Sequence, residues 1–338
     1  MALIGFGYAG RVFHAPLIAA TPGLVLTVLG TRRPAGATGY SGVEAVSDPL
    51  TAARHPAADL VVVATPNDSH APLAEAALRA GKHVVVDKPF TITAADAQRL
   101  ASLATGLGLV LSVFHNRRWD SDFLGVRRAV AEQLVGEIVE LRSEMSRHRP
   151  EVKDRWRERP GPGSGLWFDL GPHLIDQALV LFGRPETVSA DLRIQRRGGA
   201  AVDWFHATLG YGRTRVILTA SMLAAEPAPR FLVRGTEGSL TKLGWDPQEA
   251  RLVAGARPGS PGWGEDPDPM LVFRGGADRP AELRVPPGDY PAYYAGMREA
   301  LLGRGNPPVT AAEAGAVMAV IEAGERSAAE GRLVVPEF

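Results

Sequence analysis

The sequence predicts two domains of different class, α/β over residues 1–117 and α+β over residues 118–338. Three observations predict this. The chain opens on an apolar run followed by Gly5-Phe6-Gly7-Tyr8-Ala9-Gly10, a G-x-G-x-x-G hexad. Apolar strands then alternate with alanine-rich helical stretches as far as His115-Asn116, the rhythm of a doubly wound parallel sheet of Rossmann type. From residue 187 onward, valine-rich segments alternate with glycine turns, the pattern of a large, mainly antiparallel open sheet.

Ala2-Leu3-Ile4 is the first strand, and Arg11, Val12, Phe13, Leu17 and Ile18 open a helical pattern after the hexad. Each glycine has a separate task there. Gly5 permits a tight turn, Gly7 lets backbone approach a pyrophosphate, and Gly10 lets helix pack closely on strand. The N–H groups of Tyr8, Ala9 and Gly10 at the helix start would then face the phosphates of a dinucleotide. The second strand reads Leu24 to Leu29 and ends in Gly30-Thr31-Arg32-Arg33, with no acid before Glu44. An NAD site usually has a carboxylate at that strand end, for the ribose hydroxyls. A hydroxyl and two guanidiniums instead suit a 2′-phosphate, so Thr31, Arg32 and Arg33 predict NADP(H), with NAD(H) the lesser option.

Ala58 to Ala64 is the next strand, and Thr65-Pro66-Asn67-Asp68-Ser69-His70 turns from it into a helix over 71–80, stopped by Gly81. Lys82 to Val86 is a strand closed by Asp87-Lys88-Pro89, with the isomer of the bond before Pro89 left open. Thr93 caps a helix over 94–105. Leu109 to Phe114 is the last strand of the series, ending at His115-Asn116. Ligands in such sheets sit beyond the carboxyl ends of the strands, which makes the residues after each strand one list. Lys88 belongs to it, and a lysine there can stabilise negative charge developing on a substrate oxygen.

Past residue 117 the pattern predicts a helix near 121–133 and a strand over 136–146. A polar, aromatic loop over 147–165 and a helical segment through Phe182 come next. Five strands follow, over 187–194, 202–211, 213–222, 230–235 and 239–243. Residues 254–280 read as loop, and 290–302 and 310–324 as closing helices. Asp169, His173 and Asp176 fall at i, i+4 and i+7, one helix face. Histidine is the natural proton acceptor near neutral pH, and a carboxylate one turn away can orient it or bind substrate. Pro172 either kinks this helix or marks its first turn, and the spacing alone also fits a capped helix with a satisfied histidine.

The bulk composition narrows the options. The chain has 338 residues, 45% hydrophobic and 22% charged, with zero formal net charge, so electrostatics argue against nucleic-acid or acidic-membrane partners. There is no cysteine, which removes thiolate chemistry and cysteine metal sites and fits a reducing cytoplasm. No apolar run approaches the ~20 residues of a membrane span, and no signal-peptide pattern precedes the hexad.

The hexad, Thr65-Pro66-Asn67, Asp87-Lys88-Pro89 and Asp169-x-x-x-His173-x-x-Asp176 occur in one order and spacing. Together they resemble the glucose–fructose oxidoreductase/inositol dehydrogenase (Gfo/Idh/MocA) family over nearly the whole chain. Tyr8 to Leu17 and Asp169 to His173 are similar to its NADP-linked scyllo-inositol dehydrogenase branch. The resemblance implies that Lys88, Asp169 and His173 are catalytic, with Asp87 standing where a glutamate is more usual. It places Thr65, Pro66, Asn67, His70, Asp87 and Lys88 on the cofactor, Lys88, Asp169 and His173 on the substrate, and Asn116 on cofactor and substrate. It further implies hydride transfer between nicotinamide and a secondary alcohol of a sugar or cyclitol, with no metal. A homodimer or homotetramer through the second-domain sheet is also implied. Arg155, Trp156 and Arg157 are candidates for the substrate pocket. Three alternatives stay open: a non-catalytic NADP-binding regulator, a hydrolase with His115, Asp169, His173 and Asp176 as metal ligands, and a reductase for a non-sugar carbonyl or imine.

Overall fold

The computed structural model describes residues 1–33 and 39–338. The chain forms two compact units. The first comprises Met1–Asn116, Gln248–Trp263 and Asp289–Met318; the second comprises Arg117–Pro247, Gly264–Gly288 and Ala319–Phe338. The first unit thus recruits two segments from the part of the chain that the sequence reading kept together as 118–338.

In the first unit, β1 (Ala2–Ile4), β2 (Val28–Gly30), β3 (Glu44–Val46), β4 (Leu60–Val63), β5 (His83–Asp87) and β6 (Leu111–Phe114) form one parallel sheet. Its order is β3-β2-β1-β4-β5-β6. The strand order reverses between β1 and β4, the topological switch point at which such sheets bind ligands. Apart from β3, apolar runs make these strands, and their residues are almost all buried under the helices of the unit. Those helices are α1 (Ala15–Ala20), α2 (Pro49–Ala53), α3 (His70–Arg79) and α4 (Ala94–Leu107). Thr93 caps α4 by accepting the Asp96 N–H, and Gly108 ends it in left-handed conformation.

The predicted second strand is shorter than Leu24–Leu29. Its partner β1 begins at Ala2, so only residues 28–30 find a ladder, while the Met1 ammonium donates to the Val25 carbonyl at 2.7 Å. β3 carries no strong apolar run and becomes a strand by pairing with β2.

The second unit holds α5 (Ser121–Ala131), α6 (Gly165–Phe182) and an eight-stranded sheet. The strands are β7 (Ile138–Glu144), β8 (Thr187–Arg193), β9 (Trp204–Tyr211), β10 (Thr214–Ser221), β11 (Phe231–Gly235), β12 (Gly238–Lys242), β13 (Met270–Arg274) and β14 (Ala281–Leu283). Their order is β14-β13-β12-β11-β7-β10-β9-β8, antiparallel except for the β7–β10 pair. Helix α6 packs on β9 and β10, whose inward residues Phe205, Ala207, Leu209, Val216, Leu218 and Ala220 are buried. β13 corrects the loop reading of 254–280. Met270-Leu271-Val272-Phe273 is an apolar run masked by flanking Gly, Pro and Asp, and pairing with β12 supplies the ladder. Helices α7 (Gln248–Val253), α8 (Pro291–Leu301) and α9 (Ala311–Glu330) complete the chain. Among the described residues no helix is long and apolar enough to cross a membrane.

Candidate active site

The glycine loop follows β1 directly. Gly5 has φ +96°, and a Cβ on it would lie 2.3 Å from the Ala64 carbonyl oxygen, so the turns after β1 and β4 touch here. At Gly10 a Cβ would meet the Gly5 carbonyl oxygen at 2.0 Å, which only glycine avoids. At Gly7 a Cβ would meet nothing within 4 Å. The loop is therefore tight where it packs on the protein and open at its middle glycine, the arrangement a pyrophosphate needs. The helix that follows begins at Tyr8 and runs through a π-helical turn, Gly10–His14, into α1. The N–H groups of its first turn precede the i→i−4 ladder, the position from which a helix start binds an anion.

The other strand ends line up on the same edge of the sheet. The Thr31 N–H bonds the Val46 carbonyl, and its hydroxyl accepts the Arg33 N–H at 3.1 Å. That small turn leaves the Arg32 and Arg33 side chains exposed. After β4, the Ser69 hydroxyl bridges Thr65 Oγ1 and the Pro66 carbonyl, both at 2.6 Å. Asn67 and Asn116 are buried, and Lys88 is half-buried. The Lys88–Pro89 bond is cis.

His70 lies at the end of the turn after β4, where its ring meets the protein's own backbone. Its ring is buried, with Nδ1 2.8 Å from the Pro89 carbonyl and Nε2 2.9 Å from the Thr65 carbonyl. A neutral imidazole donates from only one nitrogen, so one of these contacts is a hydrogen bond and the other a close dipolar contact. Burial pushes the imidazole down from its ordinary value, against the opposing pull of Asp87 and the two carbonyls. His70 thus ties the Thr65 turn to the Lys88 turn, and both its nitrogens are engaged by the protein's own backbone.

In the second unit the chemistry sits on α6. Pro172 lies inside this helix, so the residue-172 donor is missing from the i→i−4 ladder while helical geometry continues to Phe182. Asp169 and His173 are consequently one turn apart on one face; Asp169 is half-buried and His173 is buried. Arg157 Nε lies 3.3 Å from Asp169 Oδ1, and its guanidinium stacks on the Trp156 ring at 4.4 Å. A pocket beside Asp169 is lined by Arg147, Arg149, Arg155 and Arg157 among others, and Trp156 is outside that lining. Arg196 holds the loop above it, donating to the Arg149 and Glu151 carbonyls and pairing with Glu158 and Asp203.

Asp176, the third residue of the spacing, serves a different end. Arg118 grips its carboxylate with two guanidinium nitrogens, Nε to Oδ2 at 2.9 Å and Nη2 to Oδ1 at 2.7 Å, and both side chains are buried. The neighbouring Gln177 donates to the Arg117 carbonyl and accepts from Arg230 Nη2. These bonds fix the rotation of α6 and thereby the direction of His173. Among the described residues, no group of three or more His, Asp or Glu is arranged to hold a metal ion. Sequence reasoning missed Arg118, Arg196 and Arg230; Arg118 and Arg230 find partners far along the chain, and Arg196 meets Asp203 across a turn whose spacing carries no periodic signal.

Comparison with known proteins decides the kinship. Residues 1–115 match the oxidoreductase-family NAD-binding Rossmann fold model, and residues 127–336 match the oxidoreductase-family C-terminal alpha/beta domain model. The chain belongs to the Gfo/Idh/MocA oxidoreductase family. It is 51% identical over 329 residues to the uncharacterized oxidoreductase YdgJ of Escherichia coli (strain K12), covering 96% of this chain and 95% of that one. It is 36% identical to the scyllo-inositol 2-dehydrogenase (NADP(+)) IolW of Bacillus subtilis (strain 168), over 99% and 95% of the two chains. A crystal structure from Klebsiella pneumoniae superposes with a TM-score of 0.93 at 45% identity, covering 100% of this chain and 94% of that one. As a Gfo/Idh/MocA protein the chain is an NAD(P)-linked oxidoreductase, and the open Gly7 loop fits that class of cofactor.

Proposed function

We propose that this chain is an NADP(H)-dependent dehydrogenase acting on a secondary alcohol, or the matching ketone, of a sugar or cyclitol. The observation that carries the reading is α6, which sets Asp169 and His173 one turn apart while Arg118 removes Asp176 from the chemistry. The nicotinamide cofactor, when bound, supplies the hydride acceptor or donor. Gly5, Gly7, Tyr8, Ala9 and Gly10 hold its pyrophosphate, with Thr65, Pro66, Asn67 and Asn116 around the same strand ends. His173 takes the hydroxyl proton during oxidation and returns it during reduction. Lys88 stabilises negative charge building on the carbinol oxygen, and Asp169 orients substrate or imidazole. Arg155 and Trp156 belong to the loop over the substrate, with Arg155 facing the pocket.

The test is a reductase and dehydrogenase screen. NADPH and NADH absorbance is followed separately across cyclitols, aldoses and their keto forms. Turnover of a polyol with NADP+ supports the reading. Tight NADPH binding without turnover of any alcohol, ketone or imine would instead favour a regulator. The cofactor preference has its own test. Replacing Arg32 and Arg33 by alanine removes two charge-assisted bonds, so NADP(H) affinity is expected to fall about 10–100-fold, with NAD(H) affinity little changed. Equal losses for both coenzymes would remove the 2′-phosphate from the scheme.

The resemblance also implied assembly through the larger sheet. The face away from α6 carries Trp204, Ile217 and Leu232 half-buried among Arg142, Glu144 and Arg234. We propose that a second copy covers this face. Light scattering should give a mass of at least two chains, and Ile217→Glu with Leu232→Glu should give one. A wild-type monomer at micromolar concentration would end the proposal.

A further inference from the structure

Beneath the Lys88 turn lies a buried titratable cluster that the proposed chemistry does not use. His14 is fully buried at the end of the π-helical turn, its ring 4.4 Å from that of Phe114. Its Nδ1 is 2.7 Å from the Tyr294 hydroxyl on α8, and its Nε2 is 3.9 Å from Asp87 Oδ2. Asp87, also buried, accepts the Lys88 backbone N–H on Oδ1 at 2.8 Å. One chain of contacts therefore runs from Tyr294 through His14 and Asp87 to the backbone of Lys88.

The proton positions follow from charge. A lone pair on Nε2 would face a carboxylate and be repelled, whereas an Nε2–H is attracted to it. On the neutral ring Nδ1 is then the acceptor and Tyr294 the donor. Burial holds the Tyr294 phenol well above its ordinary value, so the donating proton is present at all physiological pH. Burial alone would raise the Asp87 carboxyl, but the facing His14 and then the Lys88 charge hold it below the ordinary value, so the carboxylate is present too.

We propose that His14 is a positioning residue for Lys88. Tyr294 sets its tautomer, its Nε2–H steadies the Asp87 carboxylate, and that carboxylate fixes the backbone from which Lys88 projects. The inference rests on the role given to Lys88 above. It also accounts for aspartate at position 87. A glutamate there would carry its carboxylate one methylene further from the backbone and so could not keep both the Lys88 N–H bond and the approach to His14 in the same geometry.

The test uses the full-length protein in three measurements. The chain has four lysines, Lys82, Lys88, Lys153 and Lys242, so 15N-lysine labelling gives a readable amide spectrum. Tyr294→Phe removes one hydroxyl and should shift the Lys88 amide resonance while leaving that of Lys153 in place. Ring 15N shifts, assigned through His14→Gln, should show His14 protonated on Nε2 in the wild type and redistributed in Tyr294→Phe. In the kinetic measurement, Tyr294→Phe and Asp87→Asn should each lower kcat about 10-fold, within the up to ~10² cost of misplacing a group by 1 Å, with KM for NADP(H) little changed. The double variant should cost no more than the worse single one. An Nδ1–H tautomer in the wild type, an unmoved Lys88 amide, or additive losses would each overturn the proposal. The spectra need no turnover, so failure of the proposed reaction and failure of this relay are read separately.

Discussion

Replacing His173 by glutamine is expected to lower kcat by about 10²–10⁴-fold, the scale of a positioned acid–base group, and to leave NADPH affinity nearly unchanged. Glutamine keeps a polar side chain of similar reach at a buried site but cannot exchange a proton near neutral pH. His173 acts on the substrate hydroxyl and is given no part in holding the pyrophosphate, which belongs to the glycine loop, so cofactor binding is expected to survive. Fluorescence titration with NADPH checks the second half of the expectation, and steady-state oxidation of the best polyol from the screen checks the first. Full activity in His173→Gln would remove the imidazole from the reaction. A parallel loss of NADPH binding would mean that the variant had damaged the fold.

The second large effect falls on stability. Asp176→Ala leaves the Arg118 guanidinium buried without its carboxylate. Breaking a buried pair on one side costs about 3–5 kcal/mol. For a unit of this size that is a fall of roughly 6–20 °C in melting temperature. Asp169→Ala, seven residues earlier on the same helix, removes a half-buried ion pair with Arg157 and should cost about 1 kcal/mol or less. Its effect belongs to turnover instead. Thermal melts of the two variants beside their kcat values separate the roles. Equal melting temperatures would contradict the assignment of Asp176 to the scaffold, and an active, fully stable Asp176→Ala would remove the Arg118 contact as a determinant of the orientation of α6.

The reading of the helix face over 169–176 shows where sequence argument reaches and where it stops. A spacing of i, i+4 and i+7 places three polar residues on one face correctly, because helix geometry is local. It cannot separate a carboxylate that meets substrate from one that meets an arginine 58 residues upstream. His70 teaches the same lesson. Its place in the turn after β4 was legible, but its engagement by the Thr65 and Pro89 carbonyls was not.

The amino-acid sequence by itself determined the strand and helix around the glycine loop, the alternation of strand and helix from Ala58 to Asn116, the tight and open glycines of the first loop, and the placing of Thr31, Thr65 and Lys88 at strand ends. All of these follow from period, turn chemistry and the absence of a Cβ, which act over a few residues. Only the tertiary structure decided that β3 and β13 are strands, that Arg118 holds Asp176, and that His14 faces Asp87. These are pairings between segments far apart in the chain, where a strand is made by its neighbour's free ladder and a buried charge by its partner. Such contacts leave no periodic trace in the order of residues.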